Sequence, residues 1–222
     1  MTSALWQTNA VALRSGAEAM LIDSPYFPDE LEMLPEVLRQ SGFEPAGLLA
    51  THGDWDHLLG RLAFPQASLG VAESTASRIR EQPGVAQRKL RDADNSYYVR
   101  RPRPLSLGSY QPLPVPGKLE LGGDEIELHP GDGHTGDGMI LFARWCGVLV
   151  CGDYLSDVEL PTWSDKPLYR ATLERLRRLV AEADVVVPGH GSPMRRDAAQ
   201  RVLEEDVAYL DEDVVPSGRF TP

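Results

Sequence analysis

Ten residues constrain this chain more than any others: Thr51-His52-Gly53-Asp54-Trp55-Asp56-His57-Leu58-Leu59-Gly60. They follow a short apolar run, Gly47-Leu48-Leu49-Ala50, bounded by Pro45, which reads as a strand ending where the polar residues begin. Four potential metal ligands, two imidazoles and two carboxylates, fall within six positions, so one loop can turn them toward a common centre. Imidazole nitrogen and carboxylate oxygen hold zinc, iron or manganese, and so short a span cannot close a cage by itself. Further ligands must come from later in the chain.

A chain of 222 residues is long enough for one large α/β or sandwich domain, so a single domain over 1–222 is expected. Its net charge of −11 argues against a nucleic-acid or membrane-surface binder, because an acidic surface repels phosphates at long range. The first sixteen residues contain Arg14 and no apolar core of signal-peptide length, and no apolar run reaches spanning length; these features predict a cytoplasmic protein. In that compartment Cys146 and Cys151 are expected to be free, buried thiols.

Read in order, Ala4 to Leu13 and Ala17 to Asp23 predict two strands joined at Ser15-Gly16. Leu31, Leu34, Val37 and Leu38 recur at helical spacing between Asp29 and Gln40, with Pro35 marking a bend or a late start. A strand at Leu69 to Val71 and a helix over Ser74 to Glu81 follow. Residues 83–117 are proline-rich, and regular structure is expected there only around Gln87 to Asp94. From Arg78 to Arg103, eight basic residues stand against three acidic ones. This basic stretch is either a solvated loop or a lid attracting an anionic small-molecule substrate through Arg100, Arg101 and Arg103.

Lys118 to His129 alternates as a hairpin about Gly122-Gly123, and two apolar runs, Met139 to Ala143 and Gly147 to Cys151, come next. The second has no polar face, which suggests a strand covered on both sides, and it ends in Gly152-Asp153. A helix after Asp165 turns Leu168, Leu173, Leu176, Leu179 and Val180 to one side. The buried strand Val185-Val186-Val187 then runs into Pro188-Gly189-His190-Gly191. A final helix spans about Asp197 to Leu210, and the tail after Asp213 is expected to fray.

Three more candidate ligands therefore lie at strand ends or in glycine-rich turns: His134 in Gly133-His134-Thr135, Asp153 and His190. In order, His52-Gly53-Asp54-Trp55-Asp56-His57, Gly133-His134-Thr135, Cys151-Gly152-Asp153 and Gly189-His190 resemble the signature of the metallo-β-lactamase superfamily. The resemblance extends from about Ala17 to Pro193, including the Leu21-Ile22-Asp23 strand end. It implies a four-layer αβ/βα sandwich, with two mixed β-sheets face to face and helices outside. It also implies a dinuclear site: His52, the residue at 54 and His134 for one ion, Asp56, His57 and His190 for the other, and Asp153 bridging.

The chain departs from the family pattern at Asp54, where the second histidine is usual. A carboxylate is a harder, anionic donor and favours iron or manganese over zinc; the resemblance here is to flavodiiron proteins, in which Glu holds this position and the metals are iron. Aspartate is one methylene shorter, so the alternative is a weakened or mononuclear site. Asp132 and Asp137 flank His134 and are candidates to orient it. His129 is expected at the surface or behind the ligands, and Trp55 in packing or shielding rather than recognition. Tyr97, Tyr98 and Tyr110 are candidates to line a pocket.

The family chemistry implied is hydrolysis of a small ester, thioester, lactone, amide or phosphoester by a metal-bound hydroxide, with Asp56 and Asp153 in catalytic roles and two divalent ions, zinc or iron and manganese, as cofactors. The alternatives are an iron-dependent oxidoreductase or dioxygenase of the same fold, suggested by Asp54, and a non-catalytic metal- or ligand-binding protein.

Overall fold

The apolar runs pair into two sheets. In the first, β1 (Val11–Ser15), β2 (Glu18–Ile22), β3 (Pro45–Leu49), β4 (Ser68–Ala72) and β5 (Tyr110–Leu113) lie side by side in chain order. The β1–β2 hairpin is antiparallel and the remaining pairs are parallel. The second sheet takes β6 (Gly117–Leu121), β7 (Asp124–Pro130), β8 (Met139–Ala143), β9 (Val148–Val150), β10 (Val185–Val187) and β11 (Met194–Arg195), again in order. Its one parallel pair is β9–β10. The computed structural model describes residues 1–212 and 214–221.

Successive side chains of a strand point to opposite faces, so each all-apolar strand must be covered twice. Leu49 of β3 and Leu141 of β8 face one another's sheets in a central core with Leu13, Ile22, Leu113, Ile126 and Val150. Their neighbours point outward. Leu48 and Leu69 meet α1 (Pro28–Gln40) through Leu31, Leu34 and Leu38, and the same cluster takes in Leu58 and Leu59 ahead of the short α2 (Gly60–Ala63), Ala76 of α3 (Glu73–Glu81) and Leu90 of α4 (Val85–Ser96). Ile140, Phe142 and Leu149 meet Leu173, Leu176 and Val180 of α5 (Lys166–Glu182) and Leu203 of α6 (Arg196–Glu212). The layers are helix, sheet, sheet, helix, as the motif order implied, and both sheets are mixed.

Several local expectations fail for identifiable reasons. The first strand begins at Val11, because Trp6 and Gln7 hold left-handed backbone (φ 53° and 51°) that no strand accommodates. Within residues 83–117 the helix is longer than expected and a strand, β5, forms despite Pro112. That strand is the edge of its sheet, where a missing N–H costs no ladder bond. Pro35 lies inside α1 without ending it. Leu168 is exposed while the other four predicted apolar residues of α5 are buried. Both cysteines are free, but only Cys151 is buried.

Within the tail expected to fray, Arg219 and Phe220 are docked. The Phe220 N–H donates to the Val158 carbonyl (2.9 Å) and the Leu160 N–H to the Phe220 carbonyl (2.8 Å), while Arg219 pairs with Asp206 and Glu205. Asp213 itself lies outside the described residues. Among the described residues no helix is long and apolar enough to cross a membrane.

Candidate metal centre

The loops leaving β3, β7, β9 and β10 meet at one edge of the sandwich, and each brings polar side chains into a region otherwise walled by strand ends. The loop after β3 closes into a 3₁₀ turn at Trp55–Leu58, which buries Asp56 and His57. The turn between β7 and β8 brings His134, the end of β9 brings Asp153, and the end of β10 brings His190.

Two donor sets result. His52, Asp54 and His134 each offer an atom within 4.8 Å of the others, and so do Asp56, His57 and His190. Asp153 stands between them. Its Oδ2 lies 3.5 Å from His52 Nε2 and 3.2 Å from His134 Nε2, and its Oδ1 lies 3.1 Å from His57 Nε2 and 3.5 Å from His190 Nε2. Asp54 Oδ2 is 3.7 Å from His52 Nε2 and 3.8 Å from His134 Nε2; Asp56 Oδ2 is 3.5 Å from His57 Nε2 and 3.2 Å from His190 Nε2.

The residues fit metal ions by a test independent of the motif. His52 Nε2, His57 Nε2 and Asp153 Oδ1 are buried atoms with no hydrogen-bond partner. Buried polar atoms in a native fold are satisfied as a rule, and three orphans facing one region fit cations held there. Gly189 keeps that region open, since a Cβ there would stand 2.2 Å from Asp153 Oδ1 and 2.9 Å from His57 Cε1.

The Nδ1 atoms face outward to oxygens. His57 Nδ1 lies 2.9 Å from Asp23 Oδ2, His134 Nδ1 3.0 Å from the Thr162 carbonyl, His190 Nδ1 3.2 Å from the Trp6 carbonyl, and His52 Nδ1 3.2 Å from Thr51 Oγ1. Carboxylates and carbonyls only accept, and the Thr51 hydroxyl spends its hydrogen on Asp23, so the Nδ1 hydrogens donate and each Nε2 is turned inward, where its lone pair becomes available once the ring gives up its second proton. Asp23 in turn accepts from Thr51 N–H and Thr51 Oγ1, both at 2.8 Å.

Asp54 is engaged on its outer side as well. Arg78 of α3 donates from Nη2 to Asp54 Oδ1 at 2.5 Å and from Nη1 to Asp137 Oδ1 at 2.6 Å. Asp137 Oδ2 accepts from Gly53 N–H (2.8 Å) and Thr75 Oγ1 (2.7 Å). Burial raises the Asp54 carboxyl's pKa, but hydrogen bonds to His134 and His52 and the charges of His52 and Arg78 outweigh it and hold the group ionised.

Residues 4–190 thus place two three-donor sets around one shared carboxylate, and those residues match the family model of the metallo-beta-lactamase superfamily. This chain belongs to that superfamily. Over 214 residues it is 31% identical to human metallo-beta-lactamase domain-containing protein 1, covering 92% of this chain and 71% of that protein. The metallo-beta-lactamase family protein TTHA1429 from Thermus thermophilus superposes with a TM-score of 0.69 at 22% identity, over 92% of this chain and 75% of that one. TTHA1623, solved in a di-iron-bound form, superposes with a TM-score of 0.64 at 22% identity, over 91% of this chain and 96% of that one.

Around the superfamily motif the structure adds residues that spacing does not expose. Trp6, Thr8 and Asn9 support the His190 loop; the Asn9 amide donates to the carbonyls of Pro188 (2.9 Å) and Gly191 (2.8 Å). Tyr154 Oη donates to the Asp132 carbonyl (2.6 Å) and accepts from the His134 N–H (3.0 Å), which pins the His134 turn. Asp132 and Asp137, expected to orient His134, do not touch its ring with their side chains. Asp137 orders Gly53 and Arg78 instead, and Thr162 orients His134. His129 pairs with Glu127 at 3.0 Å, away from both donor sets.

A cavity of about 230 Å³ opens over Asp54, Asp56, His134, Asp153 and His190. Trp6 and Trp55, packed edge to face at 5.7 Å, line it together with Leu160, Pro161 and Glu159, so Trp55 faces the site as well as packing. Burial pushes the Glu159 carboxyl up to about 7, with His190 opposing and Asp153 and Asp56 adding to the rise. None of Arg78, Arg100, Arg101 and Arg103 lines this cavity. Arg101 is held by Asp94 and lies over the Tyr26 ring, and Arg103 donates to the Leu62 carbonyl.

Asp23 carries a testable consequence. Asp23→Asn keeps the shape but removes the anionic acceptor that fixes His57, and loss of such a partner costs about 10- to 100-fold in metal affinity. Metal titration of the chelator-stripped variant, read separately for the two positions, is expected to place this loss on the His57 side. Equal weakening of both positions would refute the assignment.

Proposed function

We propose that this protein is a metal-dependent hydrolase with a dinuclear centre, acting on a small ester, thioester, lactone, amide or phosphoester. The observation that carries the reading is the pair of donor sets joined by Asp153, with orphaned Nε2 and Oδ1 atoms turned to one region. His52, Asp54 and His134 would hold one ion and Asp56, His57 and His190 the other, with Asp153 reaching both. Metal ions in such a centre supply activation of water at neutral pH and stabilisation of developing negative charge.

The side chains do the rest. Asp56 lines the cavity and its carboxylate is held ionised: burial opposes this, and the charge of His57, the hydrogen bond to His190 and the charge of His190 outweigh it. It is therefore the group that orients an incoming water and accepts its proton, through the carboxylate oxygen that the ion would leave free. Trp6, Trp55 and Leu160 exclude bulk solvent and offer an apolar wall to the acyl part of a substrate. A cavity with no lysine or arginine in its lining suits a substrate that is uncharged near its reacting group.

The test is turnover by fully metallated protein across a panel of such esters, lactones, thioesters, amides and phosphoesters. Hydrolysis of at least one class with ordinary saturation is expected; absence of turnover on every class would overturn the proposal. Asp54 favours a second reading, redox chemistry at iron, because a third carboxylate in the donor set suits iron. Iron content coupled to oxygen consumption separates it from hydrolysis.

A further inference from the structure

Arg78 begins the basic stretch that a sequence reading assigns to solvent or to substrate attraction, and the structure turns it the other way. Its guanidinium leaves α3, reaches under the His52–His57 loop and bridges Asp54 and Asp137. We propose that Arg78 is the positioning residue of the first metal position, holding Asp54 by Oδ1 so that Oδ2 alone is presented between His52 and His134. This inference rests on Asp54 being a ligand.

The geometry distinguishes this from an ordinary surface ion pair. Both carboxylates are mostly buried, the Arg78 side chain is about four-fifths covered, and its two terminal nitrogens are divided between two acceptors at 2.5 and 2.6 Å. A planar fork fixed at two points leaves the guanidinium one orientation, and so fixes the position of Asp54 Oδ1. Asp137 is itself fixed by Gly53 N–H and Thr75 Oγ1, which closes the network back onto the loop that carries Asp54.

The need for such a device follows from the residue. An imidazole at position 54 would present one nitrogen in a set direction, whereas a short carboxylate has two equivalent oxygens and can chelate, rotate or swing away. Occupying Oδ1 removes that freedom. Lys89 also approaches Oδ1, at 3.9 Å, but it is half exposed and contributes little in water.

Titration of chelator-stripped protein with zinc or manganese(II), followed calorimetrically with circular dichroism as a check on folding, tests the assignment. Arg78→Met is expected to weaken the first position by about 10- to 100-fold and to leave the Asp56, His57 and His190 position unchanged. Arg78→Lys keeps a charge beside Asp137 but loses the fork, and is expected to recover only part of the affinity; it also serves if the methionine variant folds poorly. In an Asp54→His background the same Arg78→Met change is expected to cost the first position much less, because an imidazole needs no such restraint and only the Asp137 link to the loop is lost.

Simple charge repulsion predicts the opposite sign. A first position that binds more tightly in Arg78→Met, or an equal loss in the Asp54→His background, would overturn the proposal. Asp54→Ala separates the two levels: two ions retained with that variant would show that Asp54 is not a ligand, which removes the inference while leaving the hydrolase reading to the turnover panel.

Discussion

For the proposed dinuclear hydrolase, Asp153→Asn is expected to reduce the metal content from two ions per chain to at most one and to lower turnover by about three orders of magnitude. Among the described residues Asp153 is the carboxylate whose two oxygens face different donor sets, Oδ1 toward His57 and His190 and Oδ2 toward His134 and His52. An asparagine offers one oxygen and one NH2, and an NH2 cannot ligate; whichever end it takes, one set loses its fourth protein partner and the other loses a negative charge. Several kcal/mol of transition-state stabilisation depend on paired metals, which at about 1.36 kcal/mol per decade gives the quoted order of magnitude. Elemental analysis and steady-state rates on the same preparation read both effects. The folded state should also suffer, because imidazoles that now share the charge of Asp153 would be left without it, and removing one partner of a buried charged set costs about 3–5 kcal/mol. Denaturant unfolding of stripped wild type and variant measures that cost separately. Two ions retained by Asp153→Asn would refute the bridging assignment outright.

What made this centre legible was density: His52, Asp54, Asp56 and His57 crowd one loop, and His134, Asp153 and His190 each end an apolar run or sit among glycines. Those residues converge as the motif implied because parallel and antiparallel strands deliver their ends to one edge. The supporting residues were not legible for a different physical reason. The Trp6 carbonyl meets His190 across 184 positions, and the turn that carries it is made by two non-glycine residues in left-handed backbone, which leave no glycine to mark it. Arg78 is one arginine among eight basic residues, and nothing in its spacing separates the one that turns inward. Tyr154 directly follows Asp153, yet the turn it pins, at Asp132 to His134, lies 20 to 22 positions away. Pro112 misled because proline excludes a central strand but not an edge one, and edges are decided by tertiary pairing.

Metal uptake is expected to strengthen as pH rises and to release protons. Burial disfavours a charged His134, but its hydrogen bonds to Asp153 and Asp54, with the Asp153 charge and the Thr162 carbonyl adding, hold its pKa up at about 10. His57 and His190 are raised for the same reason, burial opposing and the Asp153 charge prevailing, with Asp56 contributing to both. The sign follows from linkage. A folded pKa raised from 6.5 to about 10 stabilises the stripped fold fully below pH 6.5, and that contribution is lost as pH rises through 10. The carboxylates Asp54, Asp56 and Asp153 are depressed, so their contribution is present above about pH 4 and lost in acid. Stripped protein should therefore draw most stability from these pairs between about pH 4 and 6.5. A metal ion requires neutral imidazoles, so His134 alone imposes one proton released and an apparent affinity at its position that climbs about tenfold per pH unit until pH reaches about 10. Calorimetric titration at about pH 7 in two buffers of different ionisation enthalpy counts the protons, and melting of stripped and loaded protein at about pH 5.5 and 8 checks the rest: the stripped form should be less stable at the higher pH, the loaded form more. Binding that releases no proton would mean that the imidazoles are already neutral before metal arrives, and the carboxylate–imidazole pairs would then have no hold on the centre's pH dependence.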